Sequence, residues 1–203
     1  MSKEVLISIR PEWVEKIAGG QKTVEVRRTR PKLEPPFKCY IYCTNTRPFL
    51  VWGDVFRGDW FTEFTRLSGY GRSDADRIWD VFNGHVAGEF VCDRVKNIMA
   101  EQFVIKEDAE KALEGSLLTI NQAKNYAKWK NGTPHYECKD LYGWHISDLK
   151  IYDQPKPLSA FKGPCKIKVG CWECPYYNYT TVECDGWTIK RPPQSWCYVE
   201  ELQ

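Results

Sequence analysis

The sequence predicts an α+β fold: a mixed β-barrel of about six short strands, flanked by a few short helices and carrying two insertions. Three observations support this. Apolar and polar residues alternate in several separated segments of strand length. Helical periodicity is confined to short stretches. Hydrophobic residues make up 42% of the chain and aromatic residues 14%, enough for a packed core and too many for a disordered polypeptide. Such a strand-rich pattern suits a closed or nearly closed barrel better than a doubly wound sheet.

In chain order, Val5, Ile7 and Ile9 alternate with their neighbours and predict a strand over 5–9. Pro11 opens a short helix in its first turn, with Trp13, Val14 and Ile17 as the buried stripe and Gly19-Gly20 as the stop. Residues 22–28 form a second strand, Val24 and Val26 facing inward and Thr23, Glu25 and Arg27 sharing the opposite face. After the proline-rich connection from Pro31 to Pro36, residues 38–44 form a third strand. The aromatic, glycine-rich stretch at about 46–84 is an insertion ending in a helix from Asp74 to Phe82. Residues 86–95 return to strand, followed by helices near Lys106–Leu113 and Ile120–Lys130. Thr119 and Gln122 give the second of these a capping box. Residues 143–152 are a strand whose apolar phase shifts near Ser147-Asp148, the mark of a bulge. The last strand, 195–199, follows Pro192-Pro193. The whole, 1–203, reads as one domain, its second insertion being a cysteine-rich segment at about 163–190.

Lys and Arg total 29 against 27 Asp and Glu, a net charge of +2, which argues against a protein gripping long duplex nucleic acid by its backbone. The dense basic run Arg27-Arg28-Thr29-Arg30-Pro31-Lys32 is either a patch for a few phosphates or a solvated loop. Apolar runs are too short to span a bilayer, and the first ten residues alternate without a signal-peptide core, so the expected location is the cytoplasm and no membrane partner is expected. The nine cysteines, an odd number, then speak against a disulfide framework. Cys39, Cys43, Cys92 and Cys197 sit in strand patterns and read as small buried hydrophobes.

The segment with the most chemistry is Gly20-x-Lys22-x-x-Glu25-x-Arg27, running from a helix end into a strand. Glu25 and Arg27, two apart, point the same way, and Lys22 enters from the preceding turn. Three ionisable groups on one barrel face are costly to bury unless they pair. A mixed acid–base set also suits the hydrogen-bonding edge of a base. The plainer alternative is a surface Glu25–Arg27 or Glu25–Lys22 ion pair with no ligand. Trp13 or Trp144 offers a stacking surface, while Glu89 and His145 are secondary ligand contacts.

These four spaced residues resemble the hallmark motif of the ASCH domain family, of the PUA-like superfamily of small β-barrels, and the order strand, helix, motif, strand agrees with it. The resemblance implies binding of RNA or a modified nucleobase. One bacterial ASCH family is an amidohydrolase that removes the acetyl group from acetylcytidine, and its relatives include a ribonuclease. There the motif lysine is catalytic and a threonine stands at the position of Glu25. Lys22 therefore carries over, but the hydroxyl does not; Thr23 lies two positions away. On the hydrolytic reading, Lys22 and Glu25 activate a water and Arg27 holds the oxyanion.

The favoured expectation is a binding protein for RNA, a short single strand or a modified nucleoside, with hydrolysis of a modified nucleoside as the runner-up. No cofactor is required. Cys165, Cys171, Cys174 and Cys184 surround a Cys-x-x-Cys pair, with outer spacings of five and nine residues, and suggest a structural zinc staple. His135 and Cys138 form an additional pair of candidate ligands. A protein–protein adaptor using Trp52, Phe56, Trp60, Phe61 and Phe64 is the third class.

Overall fold

The structure is a computed structural model that describes residues 3–46, 49–52, 60–63, 82–129, 138–163, 177–178, 180, 183–184 and 187–202. It opens with β1 (Lys3–Ile9) and α1 (Pro11–Ala18), followed by β2 (Val24–Arg27) and β3 (Phe37–Cys43). A hairpin of β4 (Phe49–Trp52) and β5 (Trp60–Glu63) precedes the long β6 (His85–Ile98). Then come α2 (Lys106–Ala112), α3 (Ile120–Tyr126) and β7 (Leu141–Pro157). A small ladder of β8 (Tyr177–Asn178) and β9 (Glu183–Cys184) leads to β10 (Trp196–Glu200).

Six strands form one mixed sheet in the order β10-β1-β3-β6-β7-β2. The β1–β3 pair is parallel and the other pairs are antiparallel. The expected α+β class and strand number hold, and of the two barrel alternatives the nearly closed one describes the molecule. β2 and β10 are the sheet's two edges, joined by no ladder among the described residues. They are nonetheless neighbours: Trp144 on β7 meets Trp196 on β10 at 6.1 Å between ring centroids, and Trp196 Nε1 donates to Thr29 Oγ1 just past β2.

Alternation along the strands sorts the core. On one face Val5, Ile7, Ile9, Cys39, Ile41 and Cys43 pack with Val14 and Ile17 of α1 and with Trp144. On the other, Leu6, Tyr40 and Tyr42 are covered by Tyr152, Phe161 and Val199. A further cluster joins Val26 and Leu141 to the apolar faces of α2 and α3. The bulge expected in β7 is present: Glu89 lies opposite Lys150 and Val91 opposite Ser147, an extra residue on β7, with Asp148 at φ 47°. The Thr119 capping box also forms: its Oγ1 accepts from the Gln122 backbone N–H at 3.2 Å while Gln122 Oε1 accepts from the Thr119 N–H at 2.9 Å.

Several expectations meet a boundary. The helix expected at Asp74–Phe82 lies outside the described residues, apart from Phe82, which is buried. So do the side chains of Trp52, Phe56, Trp60, Phe61 and Phe64. Thr23 falls before β2 and is exposed, so it does not share the sheltered face of Glu25 and Arg27.

Burial pushes the thiols of Cys39 and Cys43 well up, and that of Cys92 up to about 12. Since the thiolate is the nucleophile, alkylation of the native protein at pH 8 followed by peptide mapping is expected to leave Cys39, Cys43 and Cys92 unmodified. Rapid labelling of any of the three in the folded state contradicts this core.

Candidate functional site

The site begins with the end of α1. The Gly20 N–H bonds to Ile17 O and the Gln21 N–H to Lys16 O, the pair of bonds that defines a Schellman turn, with Gly20 left-handed at φ 70°. No atom lies within 4 Å of where a Cβ would stand on Gly20, so the glycine is required by its backbone angle and not by crowding. The Lys22 N–H also reaches Lys16 O, which turns the chain back beneath α1 before β2 begins. The side chain of Lys22 is thereby directed under Trp13, its ammonium 5.2 Å from the ring centroid.

A second segment, distant in sequence, completes the socket. The N–H groups of Thr23 and Val24 both bond to Gly115 O, seating the α2–α3 loop against the start of β2. A Cβ on Gly115 would approach Thr23 Oγ1 to 2.4 Å, and its φ is 74°, so only glycine fits this contact. The next residue, Ser116, is fully buried, and its carbonyl accepts from Lys22 Nζ at 2.8 Å. Val24 O accepts from the same nitrogen at 2.8 Å, and Glu25 Oε2 lies 3.3 Å away. An ammonium has three N–H donors, and here three oxygens surround it.

Glu25 joins Lys22 to Arg27, its Oε1 lying 2.9 Å from Arg27 Nε. The Nε–H is not aimed at that oxygen, so the contact is an ion pair, and Arg27 Nε meets no hydrogen-bond acceptor among the described residues. The guanidinium spans the open seam of the sheet, donating to Ser8 O on β1 at 2.6 Å and to Ser195 Oγ before β10 at 3.5 Å. Lys22, Glu25 and Arg27 are only 3%, 7% and 9% exposed. Burial lowers the Lys22 pKa, opposed by the charge and hydrogen bonding of Glu25 and reinforced by Arg27.

These three residues and Trp13 line a cleft of about 950 Å³. Its rim adds Arg10 and Arg28, so among the described residues four basic side chains and one carboxylate line the cleft. Tyr42 and Tyr126 also line it, the latter with the Arg28 guanidinium 4.9 Å from its ring centroid.

The other expected ligand contacts are placed elsewhere. Trp144 lies directly across from Glu25 in the β2–β7 ladder but is fully buried in the core, edge-on to Phe37 and Trp196. It supports the site from beneath and has no free face on which a base could stack. His145, the next residue along β7, points to the opposite face, as strand alternation requires, and pairs with Asp93 at 2.6 Å. Glu89 accepts from Tyr152 Oη at 2.5 Å, beside Tyr40 on the far face of the sheet. Neither residue lines the cleft. Cys165, Cys171, Cys174 and His135 lie outside the described residues, as does the side chain of Cys184.

Sequence reasoning missed Ser8, Tyr42, Ser116 and Tyr126. The basic run beginning at Arg27 signalled Arg28, but nothing in the sequence joins Ser116 or Tyr126 to a motif about a hundred residues earlier.

No protein-family model matches this chain, and no curated protein does. Among solved structures, a serine-to-alanine mutant of ZmASCH from Zymomonas mobilis aligns with a TM-score of 0.52 at 16% identity, covering 98% of this chain and 89% of that one. This likeness shows a shared fold. ZmASCH itself aligns at a TM-score of 0.45 and 18% identity over 98% of this chain and 88% of that chain. Its tyrosine-to-phenylalanine mutant aligns at 0.46 and 18% over 77% of each.

Removing one partner of a buried charge network leaves the others uncompensated, at roughly 3–5 kcal/mol. Glu25→Ala is therefore expected to destabilise the fold by about that much in denaturant unfolding, and a loss under about 1 kcal/mol contradicts the buried network. The Lys22 pKa lies below that of the unfolded chain, so between the two values the unfolded state holds the extra proton. The contribution of Lys22 to stability thus rises with pH across that interval, and in Lys22→Met this alkaline gain is expected to vanish.

Proposed function

We propose that the cleft binds a nucleotide, as a modified nucleoside or as part of a short single-stranded RNA. The observation that carries this is the burial of Lys22, Glu25 and Arg27 together in the floor of a cleft with a basic, aromatic rim. A buried ion pair is weak support for stability in itself, so three such groups converging in an open cleft call for a functional reason. The Arg27 guanidinium offers donors and Glu25 an acceptor for polar atoms of a base. Trp13 and Tyr126, both half-buried, supply rings for contact with its face, and Arg10 and Arg28 supply positive charge for phosphate. Near-neutral net charge with a locally basic cleft fits a short ligand better than a long duplex.

The second reading is hydrolysis of an acylated nucleoside in the same cleft. Its support is Lys22, whose pKa burial lowers toward the range of a general base. The three oxygens around its ammonium weigh against it, because such a base must first shed those bonds. Retained turnover of acetylcytidine by Lys22→Ala would exclude this mechanism.

Binding of short single-stranded RNA is expected to weaken with salt. Arg28 is exposed, so Arg28→Ala should fold normally and lower the log–log salt slope by about 0.7, the contribution of one phosphate contact on a single strand. Titrations by fluorescence anisotropy at several salt concentrations check this. No binding at any salt, together with no thermal stabilisation by nucleosides, contradicts the proposal.

A further inference from the structure

We infer that the ligand track continues past the cleft, over Leu118, into a second groove that holds the next nucleotides of the same single strand; this rests on the nucleotide reading of the cleft. A groove of about 640 Å³ lies between α2 and α3. Leu118 forms part of the wall of both cavities. The helix α3 serves both as well: Tyr126 at its end lines the cleft, whereas Asn121 and Lys124 line the groove. The two cavities are therefore contiguous along one helix.

The groove has the character of a surface for an unpaired strand. Its lining mixes apolar and polar surface in nearly equal measure and is open to solvent, Val104 being 59% and Leu117 45% exposed. Leu117 also stands in the left-handed region at φ 60°, an uncommon setting for a leucine. An exposed apolar side chain held at a backbone cost is a feature that tends to gather at binding sites. The loop that holds it is the one whose Ser116 carbonyl receives Lys22, so groove wall and cleft floor are built from consecutive residues. Cations complete the pattern. Lys106 is paired with Glu110, the one carboxylate among the described residues of the groove, at 3.7 Å, and Lys124 lies 4.2 Å over the ring of Trp129. Exposed apolar side chains for bases, lysine for phosphate and the Asn121 amide for base edges together fit single-stranded nucleic acid.

The test compares mixed-sequence single-stranded RNAs of one, two, four and six nucleotides in competition binding. Affinity is expected to rise about tenfold between one and four nucleotides, the equivalent of about one well-made contact. Leu117→Asn removes the apolar wall while placing at φ 60° a residue that accepts this angle, so folding is retained. It and Lys124→Ala are each expected to abolish most of that rise and leave mononucleotide binding unchanged. Mononucleotide binding with no gain on lengthening, or a gain indifferent to both substitutions, overturns the extension and leaves the cleft reading intact. Failure of every RNA, the mononucleotide included, overturns both.

Discussion

The arrangement depends on one carboxylate held between two cations. Glu25 touches Lys22 on one side and Arg27 on the other. Each cation in turn ties β2 to a part of the molecule with which it shares no ladder among the described residues. Lys22 holds the α2–α3 loop through Ser116 O, and Arg27 holds β1 through Ser8 O. Without Glu25, two like charges would share a nearly dry space. Neither could then be retained there without a change of protonation or of position.

The site sits where it does because the sheet does not close. In a sealed barrel the groups between β2 and β10 would be consumed by a ladder. Here β2 has a single ladder partner among the described residues, β7, and the gap on its other side is crossed by the Arg27 side chain. A side chain can bridge a gap that also admits a ligand, whereas a ladder cannot. The same gap lets Arg28 and Thr29 turn outward to the rim, with Arg28 over Tyr126 and Thr29 tied to Trp196. Fold and site are thus two consequences of one seam. The likeness to the solved ASCH structure concerns this framework alone.

Much of the framework was legible in the sequence because it depends on local chemistry. Alternation located the main strands, a phase slip located the bulge at Asp148, and the Thr119–Gln122 spacing located a cap. Within the site, the spacing of Lys22, Glu25 and Arg27 foretold their convergence, since two strand residues share a face and a glycine-ended helix aims the third. What failed was any inference about faces of distant strands. Trp144 and His145 are neighbours on one strand and cannot both look into the same cleft, and the register that puts Trp144 across from Glu25 also buries it. Glu89 was placed on the right sheet, but its carboxylate is taken up by the Tyr152 hydroxyl away from the cleft. Ser116 and Tyr126 reach the site through tertiary packing of α2 and α3, for which one sequence carries no local signal.

The most direct measurement is NMR of the Arg27 side-chain Nε–H during titration with nucleosides and short RNA. The account predicts a signal protected from solvent exchange in the free protein, as burial across the seam requires, and shifted when a ligand binds against the guanidinium. A rapidly exchanging signal, or one unmoved by a ligand that demonstrably binds, would show that the three charges are not the floor of a binding site.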